Sequence, residues 1–281
     1  MSIMKKLREY LNRPLSFVVF LLIIISTVIT ALTVVFIIGY IFIKGVPNLS
    51  LDLFSLKYSS SNQSMLPSII NTVYLTALTL LLAVPIGIFS AIYLAEYSRK
   101  NSFFVKIINI ANETLSGIPS IVYGLFGFLA FVISKKWGYS LLAGVITLAI
   151  MVLPLIIRTS QEALLGVDNT FREASYGLGA GKLRTVFKIV LPSAMPGIIS
   201  GIILAIGRIV GETAALIYTA GTVPEAATKL TSSSRTISVH LYCLLNEGLY
   251  TEQAYATAVV LIVFVVIINA LSNALAKKIM K

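Results

Sequence analysis

Six long apolar runs separate the polar stretches of this chain. They cover residues 15–43, 69–95, 107–133, 141–157, 198–220 and 254–276. A helix that spans a bilayer needs roughly 20 apolar residues, with a range of about 17–25. Helices are also the only open-ended elements that can cross lipid. The pattern therefore predicts an all-α membrane protein with six transmembrane helices. We expect the fourth and shortest helix to extend a little at both ends.

The third run contains a predicted break. Asn109, Asn112 and Glu113 are three and four residues apart, which places them on one helical face. Gly117 and Pro119 follow, and both disfavour continuation of a helix. We therefore expect an amphipathic cytoplasmic segment over 103–115 and a membrane helix that begins near Pro119.

Composition narrows the class of protein. Of 281 residues, 57% are hydrophobic and 12% are charged, whereas a soluble domain is about a quarter charged. The net charge of +11 would suggest nucleic acid in a soluble protein, but basic residues in a membrane protein mark cytoplasmic loops, so no nucleic-acid partner is predicted. His240 and Cys243 are the single histidine and cysteine, which argues against a His/Cys metal cluster and an internal disulfide.

The distribution of basic residues predicts the orientation. With the N terminus inside, cytoplasmic segments hold 15 Lys and Arg residues and outer segments hold 6. We therefore predict an N-in, C-in protein of the cell membrane whose first helix is uncleaved. In the long outer loop, about 221–253, apolar residues between 237 and 245 predict a short helix on the outer surface.

Arg208 and Glu212 are charged residues inside the predicted fifth span. Spacing i, i+4 would place them on one face of that helix. A lone Arg at the bilayer centre costs roughly 2.5–3.5 kcal/mol, so both should face the bundle interior or a watery path. A guanidinium can bind phosphate or carboxylate through two parallel hydrogen bonds, and Glu212 would then hold Arg208 between transport events. A structural ion pair between helices is the alternative.

Three further residues are candidates for the same path. Arg158 ends the fourth run, where it is either an interfacial anchor or part of the inner mouth of an anion path. Ser116 and Ser120 flank the predicted break and offer hydroxyls beside a helix N terminus, which attracts anions. Such breaks also serve helix packing in transporters.

The inner loop, about 158–192, predicts two short helices joined by a glycine-rich turn. Thr170 and Glu173 fit a capping box, with Thr170 as the N-cap. Residues 182–191 predict a basic amphipathic helix at the membrane interface, ended by Pro192. The loop is either simply solvated or a knob that docks into a partner.

The motif in this loop carries a family resemblance. Glu173-Ala174-Ser175, Gly179, Ile189 and Leu191-Pro192 have the spacing of the "EAA" loop of ABC importer permeases, with Ser175 in place of the third alanine. The resemblance implies the type I (MetI-like) permease fold. It also implies that 171–178 is a coupling helix in a cleft of an ATPase subunit. The implied coupling residues are Arg172, Glu173, Ala174, Ser175 and Gly179.

Three other strings narrow the resemblance. Residues 208–215, 117–124 and 91–97 resemble phosphate importer permeases, and the match runs from about residue 66 to the end. This implies an N-terminal helix and first outer loop over 1–65 and a permease core over 66–281, with a coupling loop at about 165–192. It also implies a PstC-like permease partner, two PstB-like ATPases and a PstS-like phosphate-binding protein. By the same resemblance, Arg208, Glu212 and Arg158 matter for phosphate passage.

The chain itself lacks the means to hydrolyse ATP. A Walker A loop requires G-x-x-x-x-G-K-[ST], but Leu183 follows Lys182 and Tyr176 replaces the first glycine. We therefore predict a transport subunit without a cofactor, with ATP hydrolysis on another chain. Two alternatives stay open: a permease for sulfate, molybdate or phosphonate, and a second role as a signalling scaffold.

Overall fold

The computed structural model describes residues 14–98 and 102–279, and the regular structure in these ranges is helical. The α-helices are α1 (Pro14–Gly45), α2 (Leu66–Ile92), α3 (Phe103–Gly117), α4 (Ser120–Gly127), α5 (Leu141–Leu165), α6 (Asn169–Gly177), α7 (Lys182–Thr185), α8 (Leu191–Val210), α9 (Ala214–Thr219), α10 (Ile237–Glu247) and α11 (Thr251–Ile279). π-helical turns extend α2 (Tyr93–Tyr97) and α4 (Phe128–Ser134) and join α7 to α8 (Val186–Val190).

The number of membrane spans agrees with the predicted six when one bent pair of helices is counted as a single span. Within the described ranges, five helical segments are long and apolar enough to cross a bilayer. The sixth candidate is the pair Val105–Gly117 and Ser120–Ser134, bent by 101°. An even number of crossings places both ends on one side, as predicted. The basic residues at 5–13 and 99–100, which contribute to the predicted orientation, lie outside the described residues.

The predicted break in the third run is confirmed. The amphipathic α3 ends at Gly117, and α4 begins at Ser120 directly after Pro119. The Tyr123 hydroxyl donates a hydrogen bond of 2.8 Å to the Leu115 carbonyl, which fixes the corner between the two helices.

The fourth helix extends at only one end. Ser140 accepts a hydrogen bond from the Ala143 N–H and caps the helix, so α5 begins at Leu141 and the predicted N-terminal extension is wrong. At the other end α5 continues to Leu165, well beyond the apolar run.

The predicted fifth span is wrong at both ends. A continuous helical segment runs from Lys182 to Val210, so 182–191 is not a separate interfacial helix. Pro192 does not end it, because the wider π turn Val186–Val190 directly precedes it and accommodates the proline within the continuous segment. The segment stops at Val210, and Gly211 caps it before α9 begins.

The outer loop is folded into the protein. The predicted short helix is present as α10, and Ile237, His240 and Leu244 on its inner face are at most 1% exposed. Asn71 of α2 anchors the preceding loop, because its amide donates to the Glu225 carbonyl at 2.9 Å and accepts from the Ala227 N–H at 2.8 Å.

The main apolar core lies where α2, α5, α8 and α9 meet, and it positions the charged residues discussed below. Its fully buried members include Leu75, Leu148, Ile209 and Leu216. The helix α4 approaches α9 closely, since a Cβ atom on Gly124 would lie 2.9 Å from the Ala215 Cα. This contact holds the broken third span against α9, the short helix that follows the fifth span.

Candidate functional site

Arg208 lies in the last turn of α8 and lines a groove of about 720 Å³. Ser200 and Gly207 of α8 line the same groove, together with Asn269 and Asn273 of α11. A Cβ atom on Gly207 would meet nothing within 4 Å, so the groove is open at that point. Within residues 14–98 and 102–279, no carboxylate lies within ion-pair distance of Arg208. The groove thus presents a guanidinium, two amides and a hydroxyl among the apolar side chains of Leu155, Ile203 and Leu204.

Glu212 does not share a helical face with Arg208, and that prediction is wrong. Because α8 ends at Gly211, Glu212 lies between two helices rather than one turn along the same one. Its carboxylate accepts a hydrogen bond from the Ala215 N–H at 3.1 Å, which caps α9. Its carbonyl accepts from the Ser238 hydroxyl at 2.8 Å, which ties α9 to α10.

Arg158 lines a different groove, of about 230 Å³, between α3 and α5. Its Nε atom donates to Glu162 at 2.9 Å, and the two side chains are 63% and 62% exposed. Exposed pairs of this kind are screened by water and contribute little to stability. The polar face of α3 predicted from Asn109, Asn112 and Glu113 lines the opposite wall. Arg158 is therefore accessible in the last two turns of α5.

The two candidate serines lie at the α3–α4 corner. The Ser116 hydroxyl donates to the Asn112 carbonyl at 2.7 Å, which satisfies the last turn of α3. Ser120 is half-buried as the first residue of α4. The structure does not place either serine among the described residues that line the Arg208 groove.

The helix α6 is the segment predicted as the coupling helix, and it starts earlier than expected. Its N-cap is Asp168 rather than Thr170, so the predicted capping box is wrong. The Asp168 carboxylate accepts the Thr170 N–H at 2.9 Å, and hydrogen bonds from the Thr170 backbone and hydroxyl hold the pKa of Asp168 below its usual value. A charged cap also favours the positive helix N terminus, which explains why Asp168 displaces Thr170.

The C terminus of α6 explains the glycine of the motif. Gly179 has φ +82°, in the left-handed region that glycine adopts without strain. The Ala180 N–H donates to the Ser175 carbonyl at 3.1 Å and the Gly179 N–H donates to the Tyr176 carbonyl at 2.9 Å. These two bonds form a Schellman motif, which stops the helix and turns the chain toward α7.

The predicted coupling residues divide into two groups. Glu173 and Ala174 are exposed, next to the exposed apolar side chains of Phe171 (54%) and Leu178 (90%). Ser175 is 3% exposed, and its hydroxyl lies 2.8 Å from that of Thr185 in α7. The serine that departs from the family motif therefore links α6 to the base of the fifth span.

Arg172 belongs to the inward-facing group. Its Nη2 atom donates to the Glu96 carboxylate at 2.6 Å and to the Leu164 carbonyl at 2.8 Å, while Nη1 donates to the Val167 carbonyl at 2.7 Å. The side chains of Arg172 and Glu96 are only 13% and 6% exposed. Arg172 thus binds its own chain rather than presenting its charge to a partner.

Glu96, Asn269 and Asn273 are residues of these sites that the sequence interpretation did not single out. The asparagines form an i, i+4 polar pair in the otherwise apolar last run, and that pattern was available in the sequence. Glu96 lies in the string 91–97 that carries part of the family resemblance, but its partner is 76 residues away. No local pattern identifies that pairing.

Comparison with known proteins agrees with this architecture. Residues 83–281 match the family described as binding-protein-dependent transport system inner membrane component. The chain is 32% identical over 249 residues to the probable ABC transporter permease protein YqgI of Bacillus subtilis (strain 168), covering 82% of this chain and 84% of that protein. It is 35% identical over 230 residues to the phosphate transport system permease protein PstA of Pasteurella multocida (strain Pm70), covering 80% and 81%.

Solved structures share the fold. A bacterial ABC transporter involved in the import of the acidic polysaccharide alginate aligns with a TM-score of 0.67 at 17% identity, over 99% of this chain and 100% of that chain. The MetNI methionine ABC transporter aligns with a TM-score of 0.58 at 18% identity, over 75% and 94%. The predicted importer-permease fold is confirmed. The chain belongs to the family of binding-protein-dependent transport system inner membrane components, as a multi-pass permease subunit of the ABC importer type.

Proposed function

We propose that this chain is a membrane subunit of an ATP-driven phosphate importer and that the Arg208 groove is part of the phosphate path. The groove carries the proposal because it places a guanidinium, free of described carboxylates, beside two amides. A guanidinium donates to phosphate oxygens, while an asparagine amide both donates to them and accepts from a phosphate hydroxyl. The similarity to PstA of Pasteurella multocida supports phosphate as the anion.

A second permease completes the path in this proposal. The groove is open on the surface of α8 and α11, and Leu204 at its edge is 59% exposed. A PstC-like permease that packs on this surface would convert the groove into a closed passage. Residues 66–281 would form the permease core, with α1 as a peripheral helix that packs through Gly45 against Tyr255 of α11.

The other candidate residues have separate roles. Arg158, which is exposed beside the α3–α5 groove, would attract the anion at the inner mouth. Ser116 and Ser120 would offer hydroxyls to the anion at the α3–α4 corner. Glu212 acts indirectly, because the cap that it provides to α9 holds the end of α8 and therefore Arg208.

ATP hydrolysis takes place on partner chains in this proposal. The exposed surface of α6, formed by Phe171, Glu173, Ala174 and Leu178, would dock into one of two PstB-like ATPases. Arg172, Ser175 and Gly179 would give the helix its position and its end. A PstS-like binding protein would deliver phosphate from outside. The chain would move the anion without breaking a bond.

Uptake into proteoliposomes tests this function. The vesicles contain this chain, its permease and ATPase partners and the binding protein, with labelled phosphate outside and ATP inside. We expect uptake that requires every partner and that excess unlabelled phosphate suppresses. Uptake of sulfate or molybdate but not phosphate would be consistent with the importer architecture but would refute phosphate as the substrate. Accumulation of phosphate in vesicles without ATP would refute the proposal that the importer is driven by ATP.

A further inference from the structure

The cytoplasmic end of α2 is bonded to both short helices of the inner loop. The π turn Tyr93–Tyr97 at this end brings two side chains to the loop. The Glu96 carboxylate accepts from Nη2 and Nε of Arg172 at 2.6 and 3.1 Å. The Lys182 ammonium at the start of α7 lies 4.9 Å above the centre of the Tyr97 ring. Consecutive residues of one membrane helix thus contact α6 and α7.

The ion pair is mostly buried, so water screens it little. Arg172 also donates to the Leu164 carbonyl at the end of α5, to the Val167 carbonyl just after it and to Asn169 of α6, so one guanidinium joins three segments. Removing one partner of a buried pair leaves the other charge without compensation, so the two side chains are held together.

A hydrophobic cluster packs next to these polar contacts. Buried side chains from the ends of α2 and α5 and from the start of the fifth span form one cluster: Ala91, Ile92, Leu164, Val186, Val190 and Ala194. The Ser175–Thr185 hydrogen bond joins the buried side of α6 to α7. The coupling helix is therefore fixed to the second, fourth and fifth spans at once.

We propose that the Glu96–Arg172 pair is the joint through which movement of α6 is transmitted to the membrane helices, with Glu96 as its positioning residue. This proposal rests on the proposed function of α6 as the coupling helix. A movement of α6 reaches the end of α2 through the Glu96 carboxylate and reaches α5 through the Leu164 carbonyl that Arg172 binds. Without the carboxylate, α6 moves against the membrane helices rather than with them.

The test measures coupling in the assembled transporter. Glu96→Gln should lower the amount of anion transported per ATP hydrolysed about tenfold, because a neutral amide does not hold the buried guanidinium, while ATP hydrolysis per complex stays within about threefold. Glu96→Asp keeps the charge and should retain most of the coupling. Glu247→Gln removes an exposed carboxylate in the outer loop and serves as the matched control.

A second measurement does not depend on the substrate. Amide hydrogen exchange of residues 169–177 in the complex should be about tenfold faster in Glu96→Gln, with no change over 237–247. If exchange and coupling are both unchanged in Glu96→Gln, the proposed joint is refuted. It is also refuted if the Glu96→Gln chain fails to assemble, because the pair would then have a structural role. If the wild-type complex transports a solute other than phosphate and Glu96→Gln still lowers the amount transported per ATP, the proposed substrate fails while the joint stands.

Discussion

The Glu212 carboxylate accepts a hydrogen bond of 3.1 Å from the N–H of Ala215, three residues further along the chain. This hydrogen bond caps α9. This relationship assigns Glu212 a local role, because the cap holds the corner at which α8 ends. Glu212→Ala should therefore destabilise the corner by about 1 kcal/mol, the usual cost of a lost cap. Thermal unfolding of the purified chain measures the change.

Glu212→Gln is the matched variant, since its amide oxygen can still accept from the Ala215 N–H. It should unfold near the wild-type temperature and support substantial uptake. Loss of uptake by Glu212→Gln with unchanged thermal stability would instead favour a direct electrostatic role toward Arg208.

Gly179 and Gly177 offer a paired test of the turn after the coupling helix. Gly179 has φ +82°, so Gly179→Ala should cost about 1 kcal/mol and loosen the end of α6. Gly177 is helical, and a Cβ atom there meets nothing within 4 Å, so Gly177→Ala should be neutral or slightly stabilising. Hydrogen exchange of residues 169–177 compares them, and equal effects would contradict the role of the left-handed turn.

His240 predicts an acid sensitivity of the outer helix. Burial, with a smaller contribution from the nearby Arg235 charge, lowers the pKa of His240 from 6.5 to about 3. The unfolded chain therefore binds this proton more readily than the folded chain. The folded state is unaffected above about pH 6.5 and loses up to about 1.4 kcal/mol per pH unit as the pH falls toward 3.

Thermal unfolding at pH 7.5 and pH 5 checks this dependence. The midpoint should fall at the lower pH in the wild type, and His240→Leu, which has no titratable group, should show a smaller fall. Identical shifts in both proteins would mean that other groups control the acid sensitivity.

Cysteine labelling tests the predicted orientation. In a Cys243→Ser background, a cysteine at the exposed position Thr231 should react with an impermeant reagent added outside intact cells. A cysteine at the exposed position Tyr176 in α6 should react only after the membrane is opened. The reverse pattern would overturn the N-in topology.

Hydropathy and motif spacing predicted most of the architecture because both are local properties. The apolar runs gave the spans, and Gly117 with Pro119 gave the corner between α3 and α4. The fifth span was misjudged for the same reason. Hydropathy continues past Gly211, so it conceals the end of α8, while Pro192 suggests an end where a π turn permits the helix to continue.

The candidate sites were predicted only in part. Arg208 was found because a charge in an apolar run is conspicuous. The Asp168 cap displaced the expected Thr170 cap, since two adequate capping residues competed and the charged one is used. The pairing of Arg172 with Glu96 depends on how α2 and α6 pack, and sequence separation conceals that geometry.

The most direct test of the phosphate path is uptake by Arg208→Gln in an assembled transporter. Proteoliposomes with equal amounts of intact wild-type or variant complex are supplied with labelled phosphate, binding protein and ATP. We predict that phosphate uptake by Arg208→Gln falls at least about tenfold while assembly is unchanged. The reason is that a neutral amide replaces the charged guanidinium. Wild-type uptake by the intact variant would contradict the assignment of the Arg208 groove to the phosphate path.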